Sequence, residues 1–364
     1  MKKTMINGIV FLAVLLGLTM ANLLYKPPLV SQSERRTLKT MPELTVETLV
    51  SGKFMREFEA FALDSFVRRD DFRGVKAQML FKIYRQKDNN GIYLVDGHAA
   101  KLETENLAAI GQAVNKFKAM AALLPETVRF YYGIIPEKGY FMAEQNGYPA
   151  LDYAEIEGLL AAGLPNMQGI DLKSALALGD YYRSDLHWDQ AKLASVVARL
   201  GEELGFTAGW DYRQTSQPFL GVYAGQSALP MPAEGLTILQ NEVTDGLLVS
   251  YLDPKTGGMV AGDLYTLAEL DSIDPYSVFL GGAQPLIVLE NPAAEDEREL
   301  VIFRDSFTSS LAPLLAEGYS KITLVDLRYL TGRVLSQYTT IAPDADVLFL
   351  YGVQVLSNPE ILLV

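Results

Sequence analysis

Cysteine is absent from the chain and histidine occurs only twice. The first absence excludes a disulfide scaffold, and the two together exclude a Cys- or His-rich structural metal site, so no metal and no cofactor is expected. Scarce histidine also narrows the catalytic vocabulary: His is the usual general base near neutral pH, and only His98 and His187 can fill that role. Basic residues are the minority, 31 against 44 acidic, and the net charge of −13 sets up a field that repels phosphate backbones and anionic lipid surfaces. Nucleic acid is therefore not an expected partner. Apolar residues are plentiful at 49% of 364, against 21% charged, which excludes a disordered chain and leaves a globular protein with a core large enough for an enzyme.

The N-terminus sets the compartment. Lys2 and Lys3 precede the uncharged stretch Thr4–Tyr25, which at about 1.5 Å per residue covers the roughly 30 Å hydrocarbon core of a bilayer. Cleaved signal peptides have shorter apolar regions, about 7–15 residues, and the best small-x-small site here, Thr19-Met20-Ala21, is poor. Residues 1–25 are thus expected to form an uncleaved signal anchor, its two lysines cytoplasmic and the rest of the chain outside the cytoplasmic membrane. Residues 26–85 read as an extracytoplasmic tether, opened by Lys26-Pro27-Pro28, followed by one or two amphipathic helices in which Leu49, Phe54, Phe58, Phe61, Phe66 and Phe72 recur at three- and four-residue intervals.

The main domain, residues 86–364, alternates helical and strand patterns. Leu107–Leu124, Tyr153–Ala162 and Gln190–Leu204 have helical spacing, whereas Thr127–Ile135, Glu299–Phe303, Ile322–Val325 and Val347–Tyr351 are short apolar runs suited to doubly buried strands. This predicts an α/β three-layer sandwich around a mainly parallel sheet. Glycine, proline and poor periodicity around residues 210–274 read as an insertion of loops and short strands.

Two segments carry possible chemistry. In Tyr181–Trp188, Asp185 and His187 are two residues apart, so an extended backbone points both side chains the same way and the carboxylate can orient the imidazole. Spacing alone leaves open that Asp185 caps the following helix and that His187 and Trp188 are packing residues. In Leu300–Thr308 a strand runs into Asp305-Ser306 and then a helix, placing a serine at the C-terminal edge of the sheet. A plain N-cap is the other reading of Asp305 or Ser306. Arg304 is a candidate for holding substrate or for an ion pair with Asp305. Gly221 and Gly281 are candidate oxyanion donors or turn residues, beside the amide of Ser306 itself. His98 follows Asp96-Gly97 in a predicted turn and reads as a surface residue.

Several segments, in order, resemble the DHHW family, SGNH hydrolase-like proteins related to the alginate O-acetylation proteins. They are Ser33-Glu34-Arg35-Arg36 with Met41-Pro42-Glu43, Asp64–Arg69, Gly91–Leu94, Asp274–Gly282, Phe303–Phe307 and Val325–Tyr329. The naming Asp-His-His-Trp motif is here Asp185-Leu186-His187-Trp188, with leucine for the first histidine and the Asp-x-His pair retained. The resemblance implies Ser306 as nucleophile, His187 as general base and Asp185 as its orienter, with an acyl-serine intermediate. Asp-x-His precedes the serine, as in the acetylation relatives, which implies acetyl transfer to an extracytoplasmic polysaccharide beside a multi-pass membrane O-acyltransferase partner. A carbohydrate acetyl-esterase with the same triad and a catalytically silent glycan-binding scaffold are the alternatives. The transferase reading requires His187 and Ser306 to lie within hydrogen-bond reach.

Overall fold

The computed structural model describes residues 2–104 and 106–364, with the side chains of Lys2, Lys3 and Thr4 outside the described part. The chain divides into two compact units, one of residues 1–92 and 222–231, the other of residues 93–221 and 232–364.

In the first unit, helix α1 runs from Lys2 to Leu24, and its segment Met5–Leu24 is long and apolar enough to cross a membrane. Three helices follow, α2 (Val46–Val50), α3 (Lys53–Asp64) and α4 (Arg69–Lys82), where the sequence predicts one or two. The extra boundary is Gly52, whose φ of +70° lets the chain turn sharply between α2 and α3.

The second unit contains α5 (Leu107–Ala121), α6 (Tyr153–Gly163) and α7 (Ala194–Leu204) around an eight-stranded sheet. The sheet strands are β1 (Arg129–Ile135), β2 (Gln168–Ile170), β3 (Leu248–Leu252), β4 (Met259–Gly262), β5 (Leu286–Glu290), β6 (Glu299–Arg304), β7 (Lys321–Val325) and β8 (Asp346–Gly352). Their spatial order is β4-β3-β5-β7-β6-β8-β1-β2. From β7 to β2 every pairing is parallel, and β5, β3 and β4 extend the sheet as an antiparallel edge. The expected insertion is therefore corrected: β3 and β4 belong to the central sheet, and the separate element is the antiparallel pair Arg213–Phe219 and Glu234–Gln240. Only β4 lies at the edge, and the pairing of β3 with β5 joins residues far apart in the chain, which local periodicity does not carry.

Alternation along the parallel strands builds the layers. Leu300, Ile302, Leu348 and Leu350 face one core with Val196, Val197 and Leu200 of α7. Val301, Phe303, Val347 and Phe349 face the other with Val114 and Phe117 of α5 and Ile156 of α6. Each such buried side chain contributes roughly 1.5–3 kcal/mol of transfer free energy, so the two faces together hold β6 and β8 rigidly between helices. β6 has β7 on one side and β8 on the other, both later in sequence, so the winding reverses at β6. A ligand crevice opens outside the C-terminal ends of strands at such a point.

The opposite edge is tied by Asp346, fully buried, which accepts hydrogen bonds from Tyr319 Oη at 2.8 Å, Arg129 Nε at 2.8 Å and Arg298 Nη2 at 3.1 Å. Arg129 and Arg298 are 56% and 26% exposed and remain hydrated without the carboxylate, whereas the Tyr319 hydroxyl would be orphaned. Asp346→Ala is expected to cost about 2 kcal/mol in urea denaturation. An unchanged midpoint would show that this cluster contributes nothing.

Candidate active site

β6 ends at Arg304, and the next three residues divide the work of the turn. Asp305 is buried; its Oδ1 accepts from the Phe307 amide at 3.1 Å and its Oδ2 from the Gly352 amide, at the end of β8, at 2.7 Å. Neither residue caps the helix that follows, whose N-cap position is Phe307 with no side-chain bond; Asp305 closes the turn ahead of it, and the Ser306 hydroxyl is left uncommitted to the backbone. The following helix is shorter than expected: α8 covers only Thr308–Leu311 and continues as a 3₁₀ helix over Ala312–Gly318, with Pro313 near its start. So short a helix offers little dipole, and any oxyanion stabilisation rests on local amides. Among the described residues the Ser306 amide has no protein acceptor.

The structure brings Ser306, His187 and Asp185 together. His187 Nε2 lies 2.8 Å from Ser306 Oγ, and His187 Nδ1 lies 2.7 Å from Asp185 Oδ1. A carboxylate only accepts, so the proton is assigned to Nδ1 and Nε2 is left to accept from the serine hydroxyl. Asp185 has no exposed surface, His187 is buried and Ser306 is half-buried, making the serine the most accessible of the three. Trp188 Nε1 donates to Phe307 O and Ser310 Oγ, both at 3.0 Å, which pins the histidine segment to the serine segment. Leu186, standing where the DHHW motif has its first histidine, packs against the apolar core.

Three supports hold the Asp185 loop, and none was assigned a role from sequence. Lys138, just past β1, donates from Nζ to the carbonyls of Tyr182 at 3.0 Å and Arg183 at 3.2 Å. Burial pushes its ammonium down to about 7, and Asp185 and Glu234 oppose that shift. Glu234 accepts from the amides of Arg183 and Ser184 at 2.7 and 2.8 Å. Tyr276 stacks on the His187 ring, centroids 3.7 Å apart and planes 6° apart, with its hydroxyl 2.9 Å from Ser310 Oγ. Tyr276 lies in a segment quoted for the family resemblance, but nothing local signals a stacking partner.

Gly221 donates its amide to Ser184 Oγ at 2.8 Å, and a Cβ there would come within 2.4 Å of Asp185 Cβ, so it is a close-approach glycine behind Asp185 with its amide already engaged. Gly281 sits in a turn at φ +63°, beside Gln284, Thr266 and Tyr251, with no triad member among its nearest neighbours. Arg304 is fully buried and donates to Ser309 Oγ at 2.9 Å and to Asp305 O at 3.3 Å, bracing the serine turn from within. His98 lies on strand His98–Lys101, half-buried, and lines a cavity of about 330 Å³ with Arg183 and Glu234; burial holds it down at about 4. It is not the surface turn residue expected from sequence.

Beneath the serine turn is a group of buried carboxyls. Glu137, fully enclosed at the end of β1, is pushed well up by burial, then by Glu103 and Asp305. Glu103 is pushed up to about 7, chiefly by burial. Among the described residues no three His, Cys, Asp or Glu side chains are placed so that they could hold a metal ion.

No family model and no curated protein sequence matches the chain. Solved structures do. A DHHW family protein from Eubacterium siraeum superposes with a TM-score of 0.58 at 17% identity, over 75% of this chain and 94% of that one. Bacillus cereus PatB1 superposes with a TM-score of 0.57 at 22% identity, over 73% of this chain and 97% of that one. PatB1 carrying a sulfonyl adduct gives 0.57 at 20% identity, over 73% and 96%. The chain therefore has the same α/β fold as these structures, with the mainly parallel central sheet that the sequence predicts.

Gly221→Ala should displace Asp185 and cost about 2 kcal/mol by overpacking; an unchanged urea midpoint would show that the approach tolerates a methyl group. Glu103 has a raised value in the fold, so its contribution to stability is fully present below about 4.5 and lost as pH rises through about 7. Glu103→Gln, always neutral, should flatten the fall in melting temperature between about pH 5 and about pH 8; parallel curves for the two proteins would refute this assignment.

Proposed function

We propose that this protein is a membrane-anchored, extracytoplasmic serine O-acyltransferase that places acetyl groups on a cell-surface or secreted polysaccharide. The observation that carries the reading is the relay of 2.8 Å from Ser306 to His187 and 2.7 Å from His187 to Asp185, at the C-terminal edge of β6. His187 Nε2 takes the Ser306 proton as Oγ attacks the acyl carbonyl, and Asp185 holds the tautomer and offsets the imidazolium charge. The unengaged Ser306 amide receives the oxyanion. Collapse expels the donor's leaving group, which takes the proton from His187 and leaves acyl-Ser306. A sugar hydroxyl then gives its proton to His187 and attacks the acyl carbonyl, restoring the serine.

Transfer to a sugar, with a multi-pass O-acyltransferase as acyl source, is supported by the resemblance to the alginate O-acetylation proteins and by Asp-x-His preceding the serine in the chain. The length of the uncharged stretch and the poor small-x-small site Thr19-Met20-Ala21 support an anchor over a cleaved signal peptide. The sulfonyl adduct of PatB1 supplies the direct probe.

The test incubates the protein with a sulfonyl fluoride and, separately, with an activated acetyl ester, with and without oligosaccharide, followed by mass spectrometry. One acyl or sulfonyl group on Ser306 and acetylated oligosaccharide are the expected products. Ser306→Ala should abolish both labels without loss of stability beyond about 1 kcal/mol, and Asp185→Asn should slow turnover by about 10⁴-fold. Labelling that survives Ser306→Ala places the nucleophile elsewhere. Release of free acetate that oligosaccharide does not divert makes the protein an esterase.

A further inference from the structure

The first unit contains a cavity of about 830 Å³ that takes no part in the Ser306 site. Its lining is unlike the rest of a chain carrying −13: five cations, Arg36, Lys39, Arg69, Arg73 and Lys76, face two carboxylates, Glu34 and Asp64. The arginines are fixed. Arg36 and Arg69 both bond Asp64 and Glu34, and Arg73 Nη2 lies 3.1 Å from Glu34. Asp70 adds a further carboxylate beside Arg69 and Arg73, at 3.1 and 3.6 Å, and the cations still exceed it. Lys39 and Lys76 are exposed and form no ion pair among the described residues. The remaining lining combines the apolar Leu63, Phe66 and Phe72 with the amides Asn89, Asn90 and Gln226.

Position adds to composition. The amide of Val67, between α3 and α4, donates to Asn22 Oδ1 near the end of α1 at 2.7 Å. Where α1 spans a bilayer, Asn22 lies at the headgroup level, about 30 Å from the other side of the core. The same unit leaves Val46, Val50, Met55, Leu63, Phe72 and Val75 exposed on α2, α3 and α4, as helices lying in a lipid interface do.

We infer that this cavity binds the phosphate headgroup of an anionic glycerophospholipid, Lys39 and Lys76 meeting the phosphate, the carboxylate-paired arginines behind them, and Leu63, Phe66 and Phe72 facing the start of an acyl chain. The two lysine ammoniums are the cations without a carboxylate partner among the described residues, and the apolar side chains distinguish a lipid from a free anion. The long-range repulsion expected from the net charge is overcome locally, because a Debye length of about 8 Å screens the distant carboxylates. The inference rests on α1 being inserted in a membrane.

The full chain in neutral detergent is titrated calorimetrically with short-chain phosphatidylglycerol, short-chain phosphatidylcholine and inorganic phosphate. Phosphatidylglycerol should bind saturably and at least tenfold more tightly than the other two. The double variant Lys39→Ala/Lys76→Ala should lose about thirtyfold in that affinity while melting as wild type, and Lys39→Arg/Lys76→Arg should retain it. Equal affinity for phosphatidylcholine, phosphate binding as tightly as phosphatidylglycerol, or an unaffected alanine variant overturns the proposal. N-terminal sequencing of the membrane-extracted protein tests the anchor separately: a mature terminus beyond Asn22 refutes the anchor, whereas loss of headgroup selectivity refutes the site.

Discussion

A carboxylate with no exposed surface must be met by hydrogen-bond donors, and Asp185 imposes that requirement on everything around it. Its Oδ1 accepts from the His187 backbone amide at 3.1 Å as well as from the ring, so one oxygen fixes both the local backbone and the imidazole. The loop that presents it is closed by the bridge between Tyr181 and Trp188. Its outer carbonyls are satisfied by Lys138 and its outer amides by Glu234, a cation on one side and an anion on the other. Arg183 is exposed and its carbonyl also accepts from the Ala99 amide at 2.8 Å, so the load falls on the buried Tyr182 carbonyl and on the Ser184 amide beside Asp185.

The serine side obeys a simpler rule. A strand that ends at a sheet edge leaves amides to be capped, and Asp305 caps two at once, one in its own turn and one on the neighbouring strand β8. Ser306 is freed because its neighbour is occupied. The parallel half of the sheet supplies the rest: β1, β6 and β8 end side by side, which puts Glu137, Asp305 and Gly352 in contact distance and packs acidic groups under the turn.

What the sequence makes legible is what depends on short-range pattern. Doubly buried strands announce themselves as apolar runs, and the two-residue spacing of Asp185 and His187 and the position of Ser306 after such a run are local facts. Their meeting across 119 residues is not local, and neither are the stacking of Tyr276 on His187 or the grip of Glu234 on the Asp185 loop. The glycines show the same limit. Gly221 and Gly281 look alike in sequence, yet one is required by the approach of Ser184 and Asp185 and the other by a left-handed turn. Short strands around residues 210–274 are legible, but the membership of β3 and β4 in the central sheet is not, because it rests on pairing with β5 further along the chain, and Pro313 shortens a helix that an apolar count alone would extend.

The parallel stacking of Tyr276 on His187 has an electronic consequence. An aromatic ring carries negative charge density on its faces, and the phenol here presents a face to the imidazole at 3.7 Å. Burial keeps the phenol itself protonated and neutral, pushing it well above its ordinary value. A proton arriving on His187 Nε2 would turn that contact from neutral stacking into a cation held against a π-cloud. In the proposed reaction the ring would share with Asp185 the stabilisation of the imidazolium, from a direction perpendicular to the hydrogen bond, where it obstructs neither nitrogen.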